Sequence, residues 1–255
     1  LLEQRDTSAS SLHEFALKIM KLLILHCSES LTELKLDCVG FQNECEMQGP
    51  LFPNVQRLHW NPVQRQSTEN VLLSIWLPNL HEMEISSHPV AYSDNIGYRF
   101  DKLTSASITE GCKQKSIVKF LSLNPQLREL NINGDSEFIN FRILKSIAKY
   151  SPGLNVLRLC FVDKRKIVEY PDPSTQNYFS KLKSLKCFSV IENCHKYGSA
   201  IDIVRSIALA EVPLTSLSVE ARHTPTNSSL VVEEIIKLKT LEALDLSLKL
   251  YNKRD

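Results

Sequence analysis

Cysteine and histidine are the residues of this chain that could most readily do chemistry, because both bind metals and both serve in nucleophilic catalysis. Cys187, Cys194 and His195 are close enough in sequence to be imagined as zinc ligands, but no two cysteines have the usual C-x2-4-C spacing. Cys160 would act as a nucleophile only beside a histidine, and no sequence pattern places one there. The sequence therefore predicts no metal site, no cysteine nucleophile and no cofactor.

The short motifs that hold phosphates, catalytic metals or nucleophilic serines are absent as well. None of GxGxxG, GxxxxGK, HExxH or GxSxG occurs, and Gly, the residue that loops around nucleotides need, is present only 7 times. The chain is therefore predicted not to be an enzyme.

Charge and hydropathy exclude two further classes of partner. The 255 residues include 30 Lys and Arg against 29 Asp and Glu, so no overall field steers the chain towards nucleic acid or an anionic membrane. The most apolar early stretch, 15–27, is interrupted by Lys18 and Lys21 and is too short to cross a bilayer. We expect neither a nucleic-acid partner nor a membrane partner.

The cysteines also predict a compartment. Their number, 7, is odd, no CxxC pair occurs, and none cluster at either end of the chain, where secreted repeat proteins carry disulfide-bonded caps. This pattern favours reduced thiols in a cytoplasmic or nuclear protein.

Internal repeats are the strongest signal in the chain. The pattern L-x-x-L-x-L, with other apolar residues allowed, recurs nine times at intervals of 23 to 31 residues. A single copy is weak evidence in a leucine-rich chain, whereas nine in series indicate a repeat architecture. The least regular copy is the fourth, where Ala106 replaces leucine. The nine core segments begin at Leu31, Val55, Leu80, Leu103, Leu127, Leu154, Leu185, Leu214 and Leu241.

Such repeats predict an α/β fold, the leucine-rich-repeat solenoid. Each core segment is a short strand whose inward side chains one repeat cannot bury, so stacked repeats pair their strands into a parallel sheet. We expect a curved parallel sheet on the concave face, with helices and loops on the convex face. Residues 1–255 are predicted to be a single domain of about nine repeats. Because the chain starts at Leu1 rather than Met, we also expect it to be a fragment of a longer protein.

The segments between the strands are predicted as helices or loops. Apolar periodicity indicates helices near 11–26, 71–76, 116–123, 138–150, 200–210 and 230–238. Irregular segments are expected at 37–52, 86–98 and 160–176. Prolines should end a helix and turn the chain into a strand, since they fall just before five core segments. They are Pro53, Pro78, Pro125, Pro152 and Pro213.

Several segments resemble the leucine-rich repeats of F-box proteins, in which a helix is followed by C-P-x-L-x-x-L-x-L. They are HCSESLTELKL at 26–36, LFPNVQRL at 51–58, LPNL at 77–80 and SPGLNVL at 151–157. Two features depart from the usual pattern: a polar Asn or Cys three positions past the core occurs only at Asn193, and the F-box is not in this sequence.

The resemblance implies a function. An F-box before Leu1 would dock on a ubiquitin-ligase adaptor, and the repeats would recognise the protein to be ubiquitinated without a catalytic residue of their own. Two alternatives remain open, an intracellular leucine-rich-repeat scaffold or regulator without an F-box, and an extracellular receptor-type repeat domain.

The predicted partner is a protein that binds the concave face, where the third, fifth and seventh residues of each core point. Glu33, Arg57 and Glu82 should lie side by side with alternating sign. They form either a self-neutralising polar ladder or a charged recognition strip.

Repeats six and seven differ, because apolar side chains there surround an arginine, as in many binding hot spots. Alternatively, segment 160–176 covers them. The residues predicted to bind protein are Arg57, His59, Glu82, Glu84, Asn131, Val156, Arg158, Cys160, Cys187 and Ile191.

Overall fold

A nine-stranded sheet organises the chain. The computed structural model describes residues 18, 22–23, 25–37, 51–61, 72–86, 98–109, 112, 114–134, 141–161, 175–192, 199–223 and 232–250. Every pair of neighbouring strands is parallel, and the order in the sheet is the order in the sequence. The strands are β1 (Glu33–Asp37), β2 (Arg57–Asn61), β3 (Glu82–Ile85), β4 (Ser105–Ile108), β5 (Glu129–Gly134), β6 (Val156–Phe161), β7 (Cys187–Glu192), β8 (Ser216–His223) and β9 (Ala243–Leu250).

The register of the sheet follows the repeat. Each strand begins at the third residue of a core segment, and third residues pair with third residues throughout, from Glu33 with Arg57 to Ser216 with Ala243. A slip by one residue would turn every inward side chain to the opposite face, so the pattern of buried residues fixes this register. The nine predicted repeats thus correspond one to one with nine strands, including the irregular copy at Ala106, which is buried in β4.

Within the described ranges, five helices return the chain from one strand to the next. They are α1 (Leu72–Trp76), α2 (Gln114–Leu123), α3 (Phe141–Tyr150), α4 (Thr175–Phe179) and α5 (Ser199–Leu209). Helices α2 to α5 pack side by side in sequence order, and further helical residues lie at 25–27 and 232–235.

The hydrophobic core lies between these helices and one face of the sheet. Ile117 and Phe120 of α2 and Ile143 of α3 are fully buried, as are the inward residues Leu130 and Ile132 of β5, and all belong to one continuous cluster. Because the helices cover only this face, the other face of the sheet carries exposed and half-buried side chains. The last strand differs: its inward residue Leu244 is 48% exposed, since the described sheet ends at β9.

Most of the predicted segments agree with the structure where it describes them, but the helix predicted near 230–238 is helical over 232–235 and gives way to a turn at 236–237. The helices expected near 71–76, 116–123 and 200–210 are present, and the turns at 53–54, 78–79, 125–126 and 152–153 contain the predicted prolines. The irregular segment predicted at 160–176 is wrong at both ends, because residues 160–161 end β6 and residues 175–176 begin α4. The middle of that segment, 162–174, and most of the other two irregular segments lie outside the described residues.

Backbone hydrogen bonds bind each repeat to the next in the same way. The carbonyl oxygen of the second residue of a core accepts from the N–H groups of the second and third residues of the following core, at 2.8–3.2 Å. All eight junctions between the nine strands contain this pair of bonds, so a single backbone geometry repeats along the sheet. The accepting residues are Thr32, Gln56, His81, Thr104, Arg128, Asn155, Lys186 and Thr215.

A side-chain ladder precedes the strands. The amide of Asn54 donates to the carbonyl oxygen of Glu29 at 2.6 Å, Asn79 to that of Pro53 at 2.7 Å, and Gln126 to that of Phe100. Thr240 donates to the carbonyl oxygen of Leu214 at 2.7 Å. Polar side chains in the turns therefore bind the backbone of the preceding repeat.

A buried carboxylate joins α5 to the following helical turn. Glu234, whose side chain is 8% exposed, accepts from Arg205 Nε at 3.1 Å and from Lys237 Nζ at 2.8 Å. Burial alone would raise the pKa of Glu234, but hydrogen bonds and charge from Lys237 and Arg205 outweigh it and lower the pKa below its ordinary value. The ionised form is therefore stabilised in the folded protein.

Replacing Glu234 with glutamine is expected to lower the free energy of unfolding near pH 7 by about 1–3 kcal/mol, because two charge-assisted hydrogen bonds are weakened. The pKa of Glu234 is lower in the folded protein than in the unfolded chain, where a glutamate has a pKa of about 4.3. The ionised carboxylate therefore stabilises the fold above that pH, and this stabilisation is lost as the pH falls through the folded-state pKa. The gap between wild type and variant should therefore be constant above about pH 5 and close as the pH falls below the unfolded-state pKa. Urea unfolding across this range measures it, and the exposed neighbour Glu233, changed to glutamine, is the control.

The end of α5 holds a strained residue. Glu211 has φ 51°, in the left-handed region, and Val212 N–H reaches back to the carbonyl oxygen of Ile207 at 3.4 Å to close the helix. A side chain in this conformation costs about 1 kcal/mol relative to glycine.

Changing Glu211 to glycine is expected to raise the free energy of unfolding by about 0.5–1 kcal/mol, because glycine adopts positive φ without the penalty. Thermal unfolding followed by circular dichroism measures the change. The variant Glu211→Ala keeps the penalty and should show no comparable gain, so equal stabilisation by both substitutions would contradict the strain argument.

Candidate functional site

The face of the sheet opposite the helices, which we call the outer face, presents the third, fifth and seventh residues of the core segments. These positions alternate with the buried ones along each strand, as in β2, where Arg57 is exposed, Leu58 buried, His59 half-buried and Trp60 buried. The outer face is therefore a broad array of side chains in fixed rows. Its residues are the candidates for recognition.

The outer face of β1 to β3 is a network of arginine–carboxylate and imidazole–carboxylate contacts. Arg57 Nη1 lies 3.2 Å from Glu33 Oε2, and Arg57 Nε lies 3.9 Å from Glu82 Oε2. His59 Nδ1 lies 2.7 Å from Glu84 Oε2, while His59 Nε2 lies 3.4 Å from Glu33 Oε1. The predicted alternation of sign is thus realised as contacts between neighbouring strands.

These contacts agree with the self-neutralising ladder. Each pair is about half exposed, so each contributes on the order of 0–1 kcal/mol to stability. A partner that bound Arg57 or His59 would have to compete with the carboxylates already there. A role of Arg57, His59, Glu82 and Glu84 in recognition stays a prediction.

Small polar side chains follow on β4 and β5. Asn131 Nδ2 donates to Ser107 Oγ at 3.3 Å, so the predicted site residue Asn131 is tied to the neighbouring strand. Two residues further along β5, the carbonyl oxygen of the Asn133 side chain is buried without a hydrogen-bond partner among the described residues. Buried acceptors without a partner are uncommon in folded proteins.

The outer face of β6 and β7 brings the predicted apolar residues together around Arg158. Register pairs Val156 with Cys187 and Cys160 with Ile191, and all four side chains are half-buried. Between these two pairs, Arg158 is paired with a serine and its side chain is 53% exposed.

Arg158 has a weak intramolecular partner. Its Nη1 atom lies 3.9 Å from Glu129 Oε2, too far for a hydrogen bond, and the Glu129 side chain is itself 48% exposed. The structure therefore gathers five of the predicted residues, Val156, Arg158, Cys160, Cys187 and Ile191, into one patch, which we call the Arg158 patch. The covering segment that was the alternative, 162–174, lies outside the described residues.

The thiol of Cys160 is held in its protonated form. Burial raises its pKa, and the negative charge of Glu220 on β8 raises it further. A thiol with a raised pKa has little thiolate at neutral pH and is a poor nucleophile. Cys160 therefore contributes apolar surface to the Arg158 patch.

Metal-binding groups are not assembled in the part of the chain that the structure describes, where no three His, Cys, Asp or Glu side chains could hold an ion together. Cys27, Cys160 and Cys187 are free thiols. The pair Cys194 and His195 lies outside the described residues. Within the same ranges, no helix has the length and apolar composition needed to cross a bilayer.

Two features of the outer face were not predicted. Glu220 influences Cys160 from two strands away, and Asn133 has an unmatched acceptor. Both occupy the seventh position of their core segments. The neighbourhood of Cys160 could have been predicted from the sequence, because aligning the seventh residues of neighbouring core segments places Asn133 beside Cys160.

The fold defines the class of protein. It is an α/β protein with one open, all-parallel sheet of nine strands and helices between them, an arrangement compatible with a repeat solenoid. No model of a known protein family matches the chain, and no curated protein is similar enough to count as a relative.

Proposed function

We propose that the chain is a leucine-rich-repeat solenoid that recognises another protein through its outer face. In this proposal the outer face is the concave side of the solenoid and the helices form the convex side. The one-to-one match between nine core segments and nine strands in constant register supports the repeat class. A rigid, open array of side chains suits protein recognition, because little conformational entropy is lost when a partner docks.

The observation that carries the proposal is the Arg158 patch. Exposed arginine surrounded by half-buried apolar side chains is the composition found at the centre of protein interfaces, where arginine and apolar residues are enriched. The charges of β1 to β3 are instead engaged with one another. Binding energy is therefore expected to come mainly from β6 and β7, with β1 to β3 at the rim.

The resemblance to F-box proteins supports a narrower role. We propose that the recognised protein is a substrate for ubiquitination and that an F-box outside this chain links the repeats to a ligase adaptor. The repeats would then orient the substrate, and the chemistry would take place on other subunits. This step rests on the segments at 26–36, 51–58, 77–80 and 151–157 that resemble F-box repeat proteins.

A pull-down with the protein expressed from its own gene, followed by mass spectrometry, tests the ligase role. Recovery of a ligase adaptor and a cullin together with a third protein is the expected result. Recovery of a partner without adaptor or cullin would leave a repeat scaffold and reject the ligase.

Thiol labelling distinguishes an intracellular ligase receptor or scaffold from an extracellular receptor-type domain. In the cytoplasm or nucleus, all 7 cysteines of the unfolded chain should react with a maleimide without prior reduction. Disulfides in material isolated from its natural source would instead support the receptor-type alternative.

A further inference from the structure

Helices α2 and α3 carry a cluster of basic residues on the side of the molecule away from the sheet. Lys115 and Lys119 of α2 and Arg142, Lys145 and Lys149 of α3 are all exposed, and neither helix contains an aspartate or glutamate. These five residues are called the basic helix face. They belong to a different surface from the outer face of the sheet.

The spacing of these residues places them in two rows. Lys115 and Lys119 are four residues apart, and Arg142, Lys145 and Lys149 follow at intervals of three and four, so each set lies along one side of its helix. Neighbours within a row are about 4.5–6 Å apart along the helix axis. Since α2 and α3 pack side by side, the rows are separated by about 8–10 Å.

The basic helix face lies in the most basic third of the sequence. Residues 112–192 contain 14 Lys or Arg and 7 Asp or Glu. Residues 1–111 contain 8 Lys or Arg and 14 Asp or Glu, and residues 193–255 contain 8 of each kind. The formal net charge of +1 therefore combines a basic central region with an acidic N-terminal region and a neutral C-terminal region.

We propose that the basic helix face docks a short acidic segment of a protein, with carboxylates spaced three or four residues apart. Two rows of cations about one helix diameter apart complement such a segment lying between them. The limited extent of the basic region favours a short partner, because a long polyanion would continue onto an acidic region on one side and a neutral region on the other. This docking surface is independent of the proposed recognition on the outer face.

Nucleic acid and membrane are less suited to this surface. Nucleic-acid grooves combine basic residues with exposed aromatic rings for stacking, whereas Tyr150, the aromatic residue next to Lys149, is half-buried with Lys149 Nζ 4.7 Å from its ring centre. Interfacial membrane helices insert large apolar side chains, and among the described residues none of the exposed large apolar side chains belongs to α2 or α3. Charge is the main attraction this surface offers.

The test uses a fluorescent peptide with glutamates at i and i+4, titrated with the whole chain and followed by fluorescence anisotropy. The double variant Lys119→Glu/Lys145→Glu is compared with Lys18→Glu/Lys239→Glu, which changes net charge equally at two exposed positions outside the basic helix face. We expect the first variant to weaken binding by about tenfold or more and the second by less than about twofold. Raising the salt concentration from about 0.05 M to about 0.3 M should weaken wild-type binding, since the contacts are exposed.

Three results would overturn the proposal. Equal losses in the two double variants would show that net charge alone drives binding. Stronger binding of a single-stranded RNA, or of vesicles containing phosphatidylserine, through the same residues would assign the surface to another partner. The third is loss of peptide binding in the variant Arg158→Glu, because Arg158 lies on the outer face and its replacement should leave peptide binding unchanged. The same variant tests the proposed function separately, since it should lose the protein partner of the outer face and keep the peptide.

Discussion

Replacing Arg158 with glutamate is expected to weaken binding of the protein partner by about 30- to 1000-fold, equivalent to about 2–4 kcal/mol, the range of an interface hot spot. The guanidinium is exposed and only loosely held by Glu129, so it is available to a partner's carboxylate or carbonyl groups. Reversing its charge places a carboxylate where the partner binds a cation and also adds repulsion from Glu129. Titration calorimetry with the partner recovered by pull-down measures the loss.

Two further variants make the result specific. Arg158→Met keeps much of the apolar stem and should weaken binding less than glutamate does. Lys239→Glu, an equally large charge change at an exposed turn residue away from the outer face, should leave binding within about twofold of wild type. If Lys239→Glu and Arg158→Glu weakened binding equally, the Arg158 patch would not be the centre of the interface.

Replacing Asn124 with alanine is expected to lower the free energy of unfolding by about 3–5 kcal/mol, a large loss for a single polar side chain. Asn124 is fully buried just after α2. Its amide donates to the carbonyl oxygens of Tyr98 and Phe120 at 2.7 and 2.9 Å, and its oxygen accepts from Phe100 N–H at 2.9 Å. Alanine would remove the partners that the Asn124 side chain gives to the Tyr98 carbonyl oxygen and the Phe100 N–H in a junction between two repeats, whereas the Phe120 carbonyl oxygen would keep its bond from the backbone N–H of residue 124 at 3.1 Å.

Chemical denaturation of wild type and variants measures this loss. Asn124→Asp keeps the acceptor for Phe100 but can no longer donate to the two carbonyl oxygens when ionised, so it should be destabilised as well. The exposed Asn177 of α4, changed to alanine, is the control and should alter stability by less than about 0.5 kcal/mol. A loss below about 1 kcal/mol for Asn124→Ala would mean that water or neighbouring groups replace its hydrogen bonds.

The strands were predictable from the sequence because their signal is local and repeated. Inward leucines at fixed positions, as in Leu127 and Leu130, specify both the strand and its face, and stacking then determines which residues become neighbours. The contacts of Arg57 with Glu33 and Glu82 follow from that register alone. Helix α4 was missed because its sequence, TQNYF, begins with three polar residues, whereas the equally short α1, LLSIW, is mostly apolar.

The hydrogen bonds that join the repeats were less predictable. Asn54, Asn79 and Gln126 share a place in the turn but differ in side chain, so no fixed motif marks the ladder. Asn124 looks in the sequence like an ordinary residue before proline, and only its burial shows its importance. The basic helix face was hidden by a net charge near zero, because the acidic N-terminal region offsets the basic centre of the chain.

Recognition through the outer face is tested most directly by site-specific photo-crosslinking. A photoreactive amino acid is placed at Ser189, which is paired with Arg158 on the outer face, and in a second sample at Asn177 on α4. The proposed function predicts one discrete protein adduct from position 189, lost when Arg158 is also changed to glutamate, and no such adduct from position 177. An adduct of the same protein from position 177 but not from position 189 would contradict it.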